Sequence, residues 1–196
     1  MNVPTSQPDA QVDKYRSYLL LLARLQVDGK PYADASDIVQ QTLLEAHQGR
    51  SRFKGDEQAM AAWLRRILAN NLRDAFKARA RHKRDPARER ALDGALDASS
   101  DRLAAWLAEA QPSPSAHAVR NEMLARLADA LLSLGDAQRE AIITYHLKGA
   151  TLKETAERLG KSDTAVAGLL HRGLQRLKAL MREPESGDRH AIAGNA

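Results

Sequence analysis

Residues 151–181 read TLKETAERLG-KSDTAVAGLL-HRGLQRLKAL-M. Thr151 stands three residues before Glu154, the spacing of a capping box in which hydroxyl and carboxylate satisfy each other's exposed backbone donors. The helix this opens is short and closes at Leu159 and Gly160. Ser162 is placed to cap a second, longer helix with Val166, Leu169 or Leu170, Leu174, Leu177 and Met181 inward, and Pro184 marks its end. A short helix, a glycine-containing turn and a longer helix give the outline of a helix-turn-helix. Helical hairpins with a glycine turn also occur in bundles that bind nothing, so the outline alone leaves both readings open.

The surrounding chain supports helices throughout. Its 196 residues allow one medium domain or two small ones. Ala and Leu dominate the hydrophobic residues, while aromatics make up 4% of the chain. A pleated surface needs β-branched and aromatic side chains, whereas Ala and Leu lose little on entering a helix. The expected class is all-α.

Upstream of the hairpin, residues 13–27 carry Tyr15, Tyr18, Leu19, Leu22 and Leu25 at helical intervals, and Gly29, Lys30 and Pro31 stop that helix. Ser36 or Asp34 caps a second helix with Ile38 or Val39, Thr42, Leu43 and Ala46 inward, leaving Asp37, Gln40, Gln41 and Leu44 on the other side. Asp56 caps a long helix whose apolar stripe is Trp63, Leu64, Ile67, Leu68, Leu72, Ala75 and Phe76. On that stripe Trp63 is a core residue rather than a platform for a base. Arg65, Arg66, Asn70, Arg73 and Lys77 fall on its other sides. Residues 117–134 form a further amphipathic helix, and Asp136 caps the next, expected to bury Ala141, Ile142 or Ile143, and Tyr145.

Between these groups, residues 86–116 read as a flexible acidic linker, with Asp93, Asp97, the Ser99-Ser100-Asp101 run and the Pro112-Ser113-Pro114-Ser115 run. Fully stretched, it would span on the order of 100 Å. Leu103, Trp106 and Leu107 interrupt it, as a local helix against one domain or as a docking patch. The expected layout is two small helical domains, 12–85 and 117–183, joined by this linker and followed by a disordered tail, 184–196.

The net charge of +5 and a pI near 9.6 conceal an uneven distribution. Residues 50–90 carry +8 and residues 137–183 carry +4, around a −4 stretch at 91–136. Two basic blocks suit a polyanion partner, although solvated helix faces of unequal charge account for them equally. With no Cys there is no disulfide framework, thiolate metal site or thiol nucleophile. The start, MNVPTSQPDA, lacks the basic and apolar parts of a secretory signal, and the longest apolar run, residues 18–23, is far too short for a bilayer. A cytoplasmic protein without a membrane partner is the expectation.

In a DNA-binding hairpin the first helix braces the second, whose N-terminal residues touch base edges in the major groove. Here those residues are Lys161, Ser162, Asp163, Thr164 and Ala167, with His171 and Arg172 further along. Lys161 and Arg172 suit phosphates, and the short polar groups suit base edges or caps. His171 has no second ligand at suitable spacing, so it reads as a polar DNA-side or structural residue and no metal site is expected.

Over most of residues 12–183 the chain resembles the extracytoplasmic-function (ECF) group of sigma-70-type sigma factors. The run from Ser36 through Asp37, Gln40, Gln41 and Leu43 resembles the family's polymerase-clamp motif. Phe53-Lys54-Gly55 and the run AWLRRILANN at 62–71 resemble the helix that opens and reads the −10 element. Residues 134–140, Gly149-Ala150-Thr151-Leu152, AERLG at 156–160 and LHRGL at 170–174 resemble the −35-binding domain. Each piece is moderately specific, and their order and spacing together are strongly so.

The resemblance implies a sigma factor that binds core RNA polymerase, through the β′ clamp and the β subunit, and directs promoter-specific initiation at −10 and −35 elements. Asp37, Gln40, Gln41 and Leu44 would hold the polymerase. Arg65, Arg66, Asn70, Arg73 and Lys77 would face the −10 strand, where extruded bases need stacking or hydrogen bonds. Arg79, Arg81, His82, Lys83 and Arg84 would neutralise phosphates there. An anti-sigma factor is a further partner the family admits. The linker in this family threads near the nascent RNA, whose backbone its negative charge would imitate. Three positions depart from the pattern: Gln41 and Leu43 where an acidic residue and a Phe are usual, and Ala167 where many members carry Lys or Arg. Thr155, often Ile, would loosen the short helix slightly.

The competing reading is a stand-alone helix-turn-helix regulator that binds operators itself, which leaves the 37–43 motif and the basic helix without a task. An enzyme is not expected: there is no glycine-elbow Ser/His/Asp order, phosphate loop or His-Glu-x-x-His pair, and no cofactor site.

Overall fold

The computed structural model describes residues 11–29, 33–77, 86–110 and 117–182. Among them every regular element is helical. The first half holds α1 (Arg16–Val27), α2 (Ala35–Gly49) and α3 (Glu57–Lys77), with a 3₁₀ turn (Arg50–Arg52) after α2. Then come α4 (Pro86–Ala110) and the second half: α5 (His117–Leu132), α6 (Asp136–Ile142), a π turn (Ile143–Leu147), α7 (Leu152–Leu159) and α8 (Asp163–Arg182). No helix of the described residues is long and apolar enough to cross a membrane.

Local chemistry sets several boundaries where the sequence places them. Asp34 accepts from the Ser36 amide at 2.7 Å, so Asp34 rather than Ser36 caps α2. Asp56 accepts from the Ala59 amide at 2.9 Å at the start of α3. The inward face of α2 takes both Ile38 and Val39, with Thr42, Leu43 and Ala46. On α3, Leu64, Leu68 and Leu72 are buried, while Trp63, Ile67, Ala75 and Phe76 pack half-covered against the core. Trp63 stacks on Phe53 at 4.7 Å between ring centres, a packing role.

Three expectations change. Residues 86–110, read as part of a flexible linker, form the 25-residue helix α4. Its buried Leu96, Leu103 and Leu107 contribute roughly 1.5–3 kcal/mol each. That outweighs the helix penalty of Gly94 and the Asp and Ser residues, roughly 1 kcal/mol or less apiece. Ser99 and Ser100 are buried with partners: Ser99 donates to the Ala95 carbonyl at 2.8 Å, and Ser100 shares a 2.8 Å hydrogen bond with the Tyr18 hydroxyl. The second change is at α6, where Gly135 rather than Asp136 occupies the N-cap and Asp136 instead pairs with Arg139. Third, the π turn after Ile142 inserts an extra residue per turn, so Thr144 and Leu147 point inward and Tyr145 is left 38% exposed.

The two halves share one apolar core. α5 packs on α1, α3 and α4 on one side and on α8 on the other. Leu124, Leu127, Ala128 and Leu131 supply its buried face. Trp106 on α4 stacks on His146 of the π turn, 5.1 Å between ring centres and 16° from parallel. Pro184 and the tail lie outside the described residues.

Candidate functional site

The hairpin is built as its sequence spells out. Thr151 accepts from the Glu154 amide at 3.2 Å, and the Thr151 amide donates to Glu154 Oε2 at 2.7 Å. The Thr151 amide foremost, with the Thr151 hydroxyl donating to the same oxygen at 2.8 Å, holds the Glu154 carboxyl below its ordinary pKa. Gly160 closes α7 in the left-handed region (φ +61), which glycine adopts without steric penalty. Ser162 caps α8 by accepting from the Ala165 amide at 3.2 Å. The long helix crosses α6 at Gly173, where an added Cβ would lie 2.8 Å from Ile142 Cδ1. Thr155 is fully buried, and its hydroxyl donates to the Thr151 carbonyl at 2.8 Å.

This framework leaves the start of α8 in solvent. Lys161, Ser162, Asp163, Thr164, Ala167, His171 and Arg172 are all exposed, while Val166, Leu170 and Gly173 face inward. His171 meets the side-chain amide of Gln175 at 2.9 Å, one turn along. No group of three or more His, Asp or Glu residues suited to a metal ion occurs among the described residues.

On α2, Asp37, Gln40, Gln41 and Leu44 are all exposed and share one face. Leu44, 52% exposed, is a large apolar side chain presented to solvent in polar surroundings. Gln41 donates to Glu45 at 2.8 Å. Leu43 is a core residue, so its departure from the usual Phe alters packing rather than this surface.

The basic positions of α3 divide. Arg66, Asn70 and Lys77 are exposed, whereas Arg65 and Arg73 are half-buried beneath α4. Arg65 Nε donates to Asp97 Oδ1 at 3.1 Å and its Nη1 to the Tyr18 hydroxyl at 3.1 Å. Burial alone would lower its pKa, but Tyr18 and Asp97 outweigh it and the guanidinium is held above its ordinary value. Arg73 Nη2 donates to Asp93 Oδ1 at 2.7 Å and Nη1 to Asn70 Oδ1 at 2.5 Å, while its Nε is buried without a hydrogen-bond partner. Arg79, Arg81, His82, Lys83 and Arg84 lie outside the described residues.

Sequence reasoning misses the ion pairs that tie the halves together. Arg158, exposed on α7, donates to Asp28 and Glu140, and Lys148 donates to Asp28 at 3.1 Å. Glu140 foremost, with Asp28, raises the Arg158 pKa. No local pattern links Asp28 to residues so distant in sequence.

Comparison with known proteins places two family models on this architecture. Sigma-70 region 2 matches residues 12–82, covering α1 to α3, and Sigma-70, region 4 matches residues 124–177, covering most of α5 to α8. The chain is 32% identical to the RNA polymerase sigma factor CnrH of Cupriavidus metallidurans over 78% of its length and 76% of that protein. It is 32% identical to the RNA polymerase sigma factor CarQ of Myxococcus xanthus, over 84% and 82%. With the ECF RNA polymerase sigma factor SigF of Caulobacter vibrioides the identity is 30%, over 90% of both chains.

Proposed function

The chain belongs to the ECF group of the sigma-70 family and is a sigma factor that directs transcription initiation, and from that premise we propose how its surfaces divide the work. Family identity implies core RNA polymerase and promoter DNA as partners. A sigma factor supplies specificity while the polymerase supplies the chemistry, so we assign no residue a catalytic role.

In this reading α2 docks on the polymerase through Asp37, Gln40, Gln41 and Leu44, with the β′ clamp as the receiving surface. Leu44 supplies apolar area and its polar neighbours set the register. The start of α8 reads the −35 element: Lys161 and Arg172 meet phosphates, and Ser162, Asp163 and Thr164 meet base edges. The exposed side of α3, with Arg66, Asn70 and Lys77, faces the −10 strand, joined there by Arg65 and Arg73. Residues 12–85 and 117–183 are then the two functional domains, working in the cytoplasm where the polymerase is. An anti-sigma factor would act by covering one of these faces.

The observation that carries this division is the pairing, in one molecule, of a half-exposed Leu44 on a polar face with a recognition-helix start whose seven candidate residues are all in solvent. Reconstitution with core polymerase and sequencing of transcript starts tests it. Promoter-specific starts are expected, and they should disappear when the α2 face is replaced. Tight, specific gel-shift binding by the free protein, without any polymerase-dependent starts, would overturn the division in favour of a stand-alone regulator.

A further inference from the structure

Two of the arginines read as facing the −10 strand are already holding anions. Arg73 sits on Asp93 at 2.7 Å and Arg65 on Asp97 at 3.1 Å, both carboxylates from α4. The two aspartates are four residues apart, successive turns of one helix face, and the neighbouring face carries the buried leucines. Hydrogen bonds between Tyr18 and Ser100 and from Gln26 to Ser99 hold α4 over α1. An ion pair between partly exposed side chains is worth little on balance. Replacing a carboxylate by a phosphate leaves the arginine's charge-assisted hydrogen bonding intact, so the exchange at each arginine is close to neutral, while the buried Leu96, Leu103 and Leu107 still hold α4 on the core. The buried Nε of Arg73, unpartnered under α4, adds to the ease of leaving.

We propose that α4 is an intramolecular substitute for promoter DNA: in the free chain Asp93 and Asp97 occupy Arg73 and Arg65, and these become available to nucleic acid only when the two carboxylates are withdrawn. The proposal rests on the reading of Arg65 and Arg73 as DNA-binding residues. The pairing of Asp93 and Asp97 with these arginines then has a use before transcription starts. It keeps the free protein off the large excess of non-promoter DNA, whose attraction is mainly electrostatic.

The test is fluorescence anisotropy of the full chain, without polymerase, on a fluorescein-labelled oligothymidylate single strand across a salt series. Asp93→Asn with Asp97→Asn should tighten binding about tenfold at low salt. It should also steepen the log–log salt dependence by about 1.4, from two freed arginines at about 0.7 each on a single strand. Asp101→Asn with Asp129→Asn, an equal change in net charge at exposed positions, should shift affinity less than twofold. Asp93→Glu with Asp97→Glu should stay near the unmodified chain. Adding Arg65→Ala and Arg73→Ala to the Asn pair should cancel its gain. If circular dichroism shows the Asn pair misfolded, Asp97→Asn alone, at a carboxylate 62% exposed, should give about half the slope change. Unchanged binding by the Asn variants overturns the proposal. If Arg65→Ala with Arg73→Ala still weakens promoter-directed transcription by the reconstituted polymerase, the DNA reading stands without it. A gain matched by the Asp101 and Asp129 control reduces the effect to net charge and overturns the proposal as well. A gain that survives loss of both arginines overturns the DNA reading and the proposal together.

Discussion

Asp28 and Arg158, 130 residues apart in sequence, are joined by a forked hydrogen bond from Nη2 to Oδ1 at 2.7 Å and to Oδ2 at 2.8 Å. Asp28 follows α1 in the first half, and Arg158 lies in the last turn of α7 in the second. Lys148 adds a contact to Oδ2 at 3.1 Å, and Arg158 reaches Glu140 at 3.2 Å, so one carboxylate of the first half anchors a charged cluster of the second.

Asp28→Asn should therefore loosen the packing of the halves, lowering stability by about 1 kcal/mol in urea unfolding, the upper end for surface pairs. Burial raises the Asp28 pKa, but Lys148 and Arg158 outweigh it and the folded value lies below 3.8. A depressed carboxylate contributes stability that is complete above its unfolded pKa and lost as pH falls through the folded value. The gap between the native chain and the variant should be constant at neutral pH and close below pH 3.8.

Thr151→Ala removes the hydroxyl side of the capping box, which accepts from the Glu154 amide and donates to Glu154 Oε2 at 2.8 Å, and leaves the backbone amide of residue 151 donating to that carboxylate. A loss of about 1 kcal/mol is expected in thermal unfolding, typical of an N-cap. Thr151→Ser keeps the acceptor and should recover most of it.

Gly173→Ala should destabilise by about 1–3 kcal/mol through overpacking. The new methyl would lie 2.8 Å from Ile142 Cδ1 and 3.3 Å from Gln138 Cβ, between α8 and α6. Shortening the obstruction with Ile142→Val should restore part of the melting temperature in the double variant. Equal losses in the single and double variants would argue against this contact.

Leu44→Asp should leave the stability within about 0.5 kcal/mol of the native chain, as surface substitutions do. Binding to immobilised core polymerase should weaken at least about tenfold, some 1.4 kcal/mol. Equal binding by both chains would remove α2 as the docking face.

The helices with caps and regular apolar spacing are legible in the amino-acid sequence: Asp34, Asp56, Thr151 and Ser162 each cap where their spacing predicts. The exposure of the candidate residues on α2 and at the start of α8 is equally legible, because a helix period separates them from the buried face. α4 is not, since Gly94, the aspartates and paired serines favour loops. What makes it a helix is long-range: leucines that enter the shared core, and serines that find Tyr18 and Gln26. The paired state of Arg65 and Arg73 is hidden for the same reason, as their partners lie on a helix that local patterns do not announce. Tyr145 escapes a helical-period reading because the π turn shifts the register in a way no 3.6-residue period encodes.

The stacking of Trp106 on His146 gives the molecule an optical readout of its own conformation. The chain has two tryptophans, and the other, Trp63, is spoken for by Phe53 within the first half. With Trp63→Phe, all indole emission comes from a ring on α4 pressed against an imidazole of the second half. Separation of the halves would move that ring into water, red-shifting its emission and removing a neighbour able to quench it. Assembly with polymerase or DNA could then be followed in real time with no dye attached.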